Sequence, residues 1–342
     1  MAFLGEGGFG VVTKCRNTKN NQTVAIKVNK SDPEILQQAK QEIFILEQLR
    51  RLDPDRCNIV EWNGYFLDGE RICLNFELLD QSLWDYIGDR NNQGLPIREL
   101  RPILHQIANA LFYLGSVGIV HADLKPANIM VVNRHESPVK VKLIDFGIAC
   151  NTSAVITGGT VGTIGYCAPE IMLGTPYDEA IDMWSLGLVA VELATGVPLY
   201  PGEDDYDVLK FIIETQGQLP DHLLESDYQS KETRYIKLKR PENGQPLFVR
   251  LIKQMLALDA NQRITPLEVL KHPFSTLASQ GVHGSQKFNC SFQNSVEYPQ
   301  KEHVNTSANP SSSEDDLEIS EGTILGDHHV VEAFLGEGGF VL

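Results

Sequence analysis

Apolar and polar positions change their rhythm twice along this chain. Up to about residue 79 the apolar residues come in short β-branched runs, Val11-Val12 and 23–28 among them, which predicts short strands. One helical stretch interrupts them. Ile43, Leu46 and Leu49 fall on one face of 38–49, and Asp32-Pro33 ahead of Glu34 reads as a helix start, an acidic cap followed by proline in the first turn. From 83 to 117 the period turns helical, with Leu100, Leu104, Ile107, Ala108, Leu111 and Leu114 on one stripe, and 181–195 and 247–258 predict further helices. After Phe274 the chain shifts to Ser, Asn, Gln, Thr and acid, and 307–316 holds almost no core-forming residue, as a linker would. The expected architecture is a small sheet-based lobe followed by a larger helical one.

The chemistry concentrates in the segments between these elements. His121-Ala122-Asp123-Leu124-Lys125-Pro126-Ala127-Asn128, followed by Asp145-Phe146-Gly147, has the residue types that transfer of a phosphoryl group to a hydroxyl requires. A carboxylate (Asp123) orients the nucleophile, oxygen ligands (Asn128 and Asp145) hold Mg²⁺, and Lys125 adds positive charge beside the moving group. Asp-Phe-Gly alone recurs by chance; eight matched positions at this distance from it do not. Upstream, Gly5-Glu6-Gly7-Gly8-Phe9-Gly10-Val11-Val12 fits a glycine-rich loop covering phosphates. A dinucleotide-binding turn has similar glycines, but a helix should then follow, and here a β-rich run does. Val24-Ala25-Ile26-Lys27 supplies a strand-borne lysine for the α- and β-phosphates, and Glu42, fifteen residues on, is its expected partner.

With these motifs in order, residues 1–275 resemble the eukaryotic protein kinases. Within them the chain is most similar to the homeodomain-interacting protein kinases, relatives of the dual-specificity tyrosine-regulated kinases. His121-Ala122-Asp123 carries the resemblance, with alanine where most kinases have arginine. It is supported by 180–187, Pro198-Leu199-Tyr200-Pro201-Gly202, Glu214-Thr215-Gln216-Gly217, Arg263-Ile264-Thr265-Pro266 and His272-Pro273-Phe274. The resemblance implies an α+β, two-lobed fold, with an antiparallel-sheet N-lobe, a mainly helical C-lobe and ATP between them. It implies Phe76 as gatekeeper and Glu77 to Leu79 as the hinge meeting adenine. Leu4, Gly5, Glu6, Gly7, Gly8, Phe9 and Gly10 would cover the nucleotide, with Val12 and Ala25 above the purine and Met130 below. Asp182 would anchor the catalytic loop, and Glu170 of Ala168-Pro169-Glu170 would pair with Arg263. Protein substrates bearing Ser or Thr hydroxyls, and transcription regulators as partners, belong to the same expectation. Two departures stand out. Thr160 occupies the place of the family's activation-loop tyrosine, with Cys167 where its arginine would stand before Ala168, while Gly162-Thr163-Ile164-Gly165-Tyr166 resembles an ordinary serine/threonine-kinase substrate loop. The family's insert between Thr233 and Leu247 is also much shorter here.

Composition adds bounds. The formal net charge of −16 argues against a sequence-independent grip on nucleic acid. Half of it lies in the last 42 residues, where nine acidic side chains face Lys301 alone. Six scattered cysteines with no Cys-x-x-Cys pair predict neither a zinc site nor a disulfide framework. No apolar run approaches a membrane span, so the nucleus or cytoplasm is the expected compartment.

The far end holds a repeat. Ala333-Phe334-Leu335-Gly336-Glu337-Gly338-Gly339-Phe340 duplicates residues 2–9 at an offset of 331, and His329-Val330-Val331-Glu332 reads as the opening of a first strand that 1–9 lacks. The expected division is a kinase domain at 1–275 with its first strand clipped, a flexible linker at 276–328, and a fragment at 329–342 repeating the start of such a domain. A rival expectation is a catalytically weak scaffold with a truncated N-lobe; a second is a kinase for small molecules.

Overall fold

The computed structural model describes residues 10–152, 161–220, 223, 245–276 and 319–337. The small lobe is built first along the chain. Strands β1 (Gly10–Asn17) and β2 (Thr23–Asn29) are antiparallel, helix α1 (Pro33–Leu49) follows, and after the single-turn helix α2 (Pro54–Cys57) come β3 (Trp62–Asp68) and β4 (Arg71–Glu77). β2 pairs with β4, opposing Ala25 to Phe76 and Lys27 to Leu74. Helix α1 starts where its sequence says it should. The Asp32 carboxylate accepts from the amides of Glu34 at 2.8 Å and Ile35 at 3.3 Å, satisfying donors that no helical turn precedes. Its most buried face is Ala39, Glu42, Ile45, Leu46 and Leu49, with Ile43 only half-buried at its margin.

The large lobe opens with β5 (Gln81–Ser82) and helices α3 (Leu83–Gly88) and α4 (Ile97–Ser116). The helical period of 83–117 is thus two helices. Asp89 to Pro96 breaks it, with Asn91 and Asn92 at positive φ and Pro96 fixing the entry to α4. All six stripe residues of α4 are buried as expected. Three short strand pairs frame the chemistry: β6 (Ile119–Val120) with β9 (Cys150–Asn151), and β7 (Ile129–Val131) with both β5 and β8 (Val141–Leu143). Below them lie α5 (Pro169–Met172), α6 (Ala180–Thr195), α7 (Asp205–Gln216), α8 (Gln245–Met255), α9 (Pro266–Lys271) and α10 (Pro273–Thr276). Helix α6 is buried nearly all round and is the axis of this lobe. Helix α8 ends at Met255, short of residue 258, because Asp259 caps a separate turn at Ala260–Gln262.

The sheet does not end with β1. A hairpin of β10 (Ile324–Leu325) and β11 (His329–Glu337) adds two strands, giving the order β10-β11-β1-β2-β4-β3. β11 runs antiparallel to β1 from Val11↔Glu337 to Asn17↔His329, with two register shifts. Residues 319–328, expected as linker, therefore form part of a folded hairpin from Ile319 onward. Residues 329–342, expected as a fragment repeating the start of a kinase domain with a strand opening at His329, include the strand β11 paired with β1. The place beside β1, where the sequence predicts a clipped first strand, is filled by β11 from the other end of the chain.

Candidate active site

Lys27 sits in mid-strand on β2 with its side chain directed at α1. Its Nζ lies 2.9 Å from Glu42 Oε2 and 3.3 Å from Asp145 Oδ1. Burial works against the lysine charge, but Asp145 and Glu42 more than offset it and hold its pKa above the usual lysine range. Burial pushes Glu42 up, opposed only in part by Lys27. Asp145 is also buried, yet Lys27 and His121 hold its carboxyl below the ordinary range. The structure brings together Lys27 and Glu42, the pair expected from the sequence, and adds Asp145, expected as a metal ligand, to the same cluster. The cavity beside them is lined also by Asn29, Gln38 and Asp123.

Asp123 reaches the cavity from the loop between β6 and β7. Three neighbours fix its carboxylate: Asn128 Nδ2 donates to Oδ2 at 3.0 Å, Lys125 Nζ lies 2.9 Å from Oδ2, and Thr163 Oγ1 donates to Oδ1 at 2.5 Å. Lys125 donates to the same Thr163 hydroxyl at 2.9 Å. The backbone of this loop is tied down from α6. Asp182 accepts from the amides of His121 at 2.8 Å and Ala122 at 2.9 Å, while burial raises its pKa despite those bonds. That anchor holds Ala122 at φ 67°, a left-handed backbone that a non-glycine residue adopts at a cost of roughly 1–3 kcal/mol. Asp145 has φ 58°, fixed in part by its Oδ1 accepting from the Gly147 amide at 3.3 Å.

The residues expected about a purine are all in the protein interior. Val12, Ala25, Phe76, Leu79 and Met130 are all buried within one apolar cluster. Glu77, at the end of β4, ties the hinge to its surroundings: its carboxylate accepts from the Glu61 amide at 2.6 Å and pairs with the buried Lys142 of β8. Lys142 was not anticipated from sequence; the only signal was a charge at the inward position of Val141-Lys142-Leu143. Asn29 was missed too, and its buried Nδ2 has no partner.

Beneath Asp123, Gly162 approaches so closely that a Cβ there would stand 2.9 Å from Ala122 O. Cys167, in the place where the sequence resemblance implies arginine, donates to the carbonyls of Thr163 at 3.2 Å and Val161 at 3.4 Å, and burial pushes its thiol up to about 12. Glu170 and Arg263 meet as a fully buried bidentate pair, with Nη2 donating to Oε2 at 2.7 Å. Leu4, Gly5, Glu6, Gly7, Gly8, Phe9 and Thr160 lie outside the described residues, as does most of 233–247; Gly10 opens β1 at φ 152°.

Residues 1–275 match the family model described as the protein kinase domain, so this chain belongs to the protein kinase family and its two lobes are the protein kinase fold. Among named relatives it is similar to homeodomain-interacting protein kinases. Homeodomain-interacting protein kinase 2 of Mesocricetus auratus is 37% identical over 329 residues, 81% of this chain and 28% of that protein. Homeodomain-interacting protein kinase 1 of Caenorhabditis elegans is 43% identical over 243 residues, 71% of this chain and 28% of that protein. Homeodomain-interacting protein kinase 4 of Homo sapiens is 34% identical over 337 residues, 81% of this chain and 54% of that protein. The chain thus spans between 28% and 54% of the length of these relatives.

Proposed function

We propose that this protein kinase uses ATP and Mg²⁺ to phosphorylate serine and threonine hydroxyls of proteins. One observation carries the reading: Asp123 is held by Asn128, Lys125 and Thr163 beside the same cavity into which Lys27 is fixed by Glu42 and Asp145. In this reading Asp123 accepts the hydrogen bond of the substrate hydroxyl and aims its oxygen at the γ-phosphate. Lys27 holds the α- and β-phosphates, and Lys125 faces the transferring group. The donor set fits Mg²⁺. Asp145 offers a carboxylate, and the Asn128 amide nitrogen makes the bonds to Asp123, leaving its oxygen to face a metal ion. Among the described residues no cluster of three His, Cys, Asp or Glu side chains is built, so the ion would take its remaining oxygens from phosphate and water. Once bound, Mg²⁺ supplies neutralisation of phosphate charge. The Lys125–Thr163 link, resembling the substrate loop of serine/threonine kinases, supports that preference.

The relatives' names speak of homeodomain proteins, and we place transcription regulators among the partners on that basis alone. The five free cysteines among the described residues fit a reducing compartment, cytoplasm or nucleus. No described helix is long and apolar enough to cross a membrane.

The test is transfer of label from [γ-³²P]ATP to a generic protein substrate and a peptide library, followed by phosphoamino-acid analysis. Asp123→Asn should lower the rate by about 10²–10⁴. Label on tyrosine alone, or wild-type transfer that survives Asp123→Asn, would defeat the assignment.

A further inference from the structure

The glycine-rich sequence occurs twice, and the structure gives a strand to the second copy. β11 covers an apolar patch formed by Val11, Cys15, Val24, Ile26, Val28 and Cys73, into which Leu325 and Val331 are inserted at 0% and 3% exposure. The contacts along it are specific. Glu332 meets Arg16 Nε at 2.8 Å, and the Thr18 amide donates to His328 O at 2.8 Å. His329 stacks on Phe66 with ring centroids 4.9 Å apart. Gly326, at φ 55°, passes so near Phe66 that a Cβ would lie 2.7 Å from its ring. Leu325, His329, Val331 and Glu332, which hold the strand, all precede the second copy of the repeat.

At its far end the strand arrives at the nucleotide cleft. Val12 opposes Gly336 and Val11 opposes Glu337. Leu335, next to the residue that opposes Val12, packs against the main apolar cluster, which runs through both lobes and includes Val12 and Ala25. An edge of β1 accepts one strand, since each of its amides and carbonyls has one partner to give. We propose that Leu335-Gly336-Glu337 form the roof of the nucleotide site, so that this chain's own C-terminal segment is part of its ATP-binding lobe. Leu335 closes the apolar slot over the purine, and the backbone at 336–337 leads into the phosphate region. The inference rests on the nucleotide-binding reading above.

Two arms on the full-length chain test it. In the first, Val331→Cys is oxidised under mild conditions. Cys15 and position 331 are direct cross-strand partners, so peptide mapping should find Cys15 joined to the introduced thiol within one chain. A folded chain that forms no such bond, or forms it only between two chains, overturns the proposal. In the second, ATP affinity is read by displacement of a fluorescent nucleotide. Leu335→Glu should weaken binding by tenfold or more, Leu335→Ala by less, and Leu335→Glu should do more harm than Leu4→Glu. The reverse ranking overturns the proposal, and melting curves exclude a merely unfolded variant. If the wild-type chain binds no ATP while the disulfide forms, the kinase reading falls and takes the nucleotide role with it, but the docked strand stands.

Discussion

Arg263 and Glu170 meet where water does not reach, and their value to the fold lies in being matched. Removing one partner leaves a bare charge in a dry place, which costs about 3–5 kcal/mol, whereas removing both costs much less. Arg263→Met should therefore lower the denaturation midpoint sharply, and the double variant with Glu170→Met should recover a large part of the loss. Strictly additive losses would show that the two side chains act separately. Thr163 has a different kind of importance. Its hydroxyl donates to Asp123 and accepts from Lys125, a link between two charged groups that is worth roughly 1.5–3 kcal/mol. Thr163→Ala should reduce kcat by about tenfold or more with little change in melting temperature, and Thr163→Ser should restore it. Equal damage from both would assign the role to the methyl group instead. Ala122 presents no guanidinium beside this network, so Asp123 is steadied from the substrate loop and from α6.

At the scale of elements, β11 has a built-in sensitivity to acid. Burial, with His328 nearby, holds the pKa of His329 below the usual histidine range. The amide nitrogens of Asn17 and Asn75 both face its Nε2, at 3.3 and 3.5 Å, and an acceptor there means a neutral ring. A depressed pKa in the docked state means that the stabilisation is whole above the ordinary histidine value. It declines as pH falls below that value toward the docked pKa, because only the released strand takes up the proton. Hydrogen exchange over 329–337 should accelerate, after correction for intrinsic rates, between pH 7.5 and 5.5, and His329→Phe should remove the dependence. Protection that is flat across this range in wild type would contradict the account.

Elements whose signal is local were readable in the sequence: the start of α1 is written in Asp32-Pro33, and the stripe of α4 in its leucines. The break between α3 and α4 was lost because an apolar period was followed through the Asn91-Asn92 turn. The pairing of β11 with β1 was out of reach, because period-2 patterning identifies a strand but not its neighbour.

The whole molecule repeats that lesson for the site. Lys27, Glu42, Asp123, Asn128, Asp145, Asp182, Glu170 and Arg263 were all legible, since phosphate chemistry restricts the residue types and their order. Lys142 and Asn29 were not, because a lone polar residue in a strand has no motif around it. The origin of the roof strand depends on tertiary placement alone. That placement also sets a clock. β1 and β11 meet across 312 sequence positions, from Asn17 to His329. At roughly 5–20 residues per second on the ribosome, the sheet waits on the order of tens of seconds for its covering strand. Throughout that interval Val11, Cys15, Val24, Ile26 and Val28 face solvent or a chaperone. Nascent chains stalled before Ile319 clears the exit tunnel should label readily at Cys15 with a thiol reagent, and chains stalled on a spacer beyond Leu342 should resist. A Cys15 already shielded in the shorter chains would mean that something else covers the sheet first.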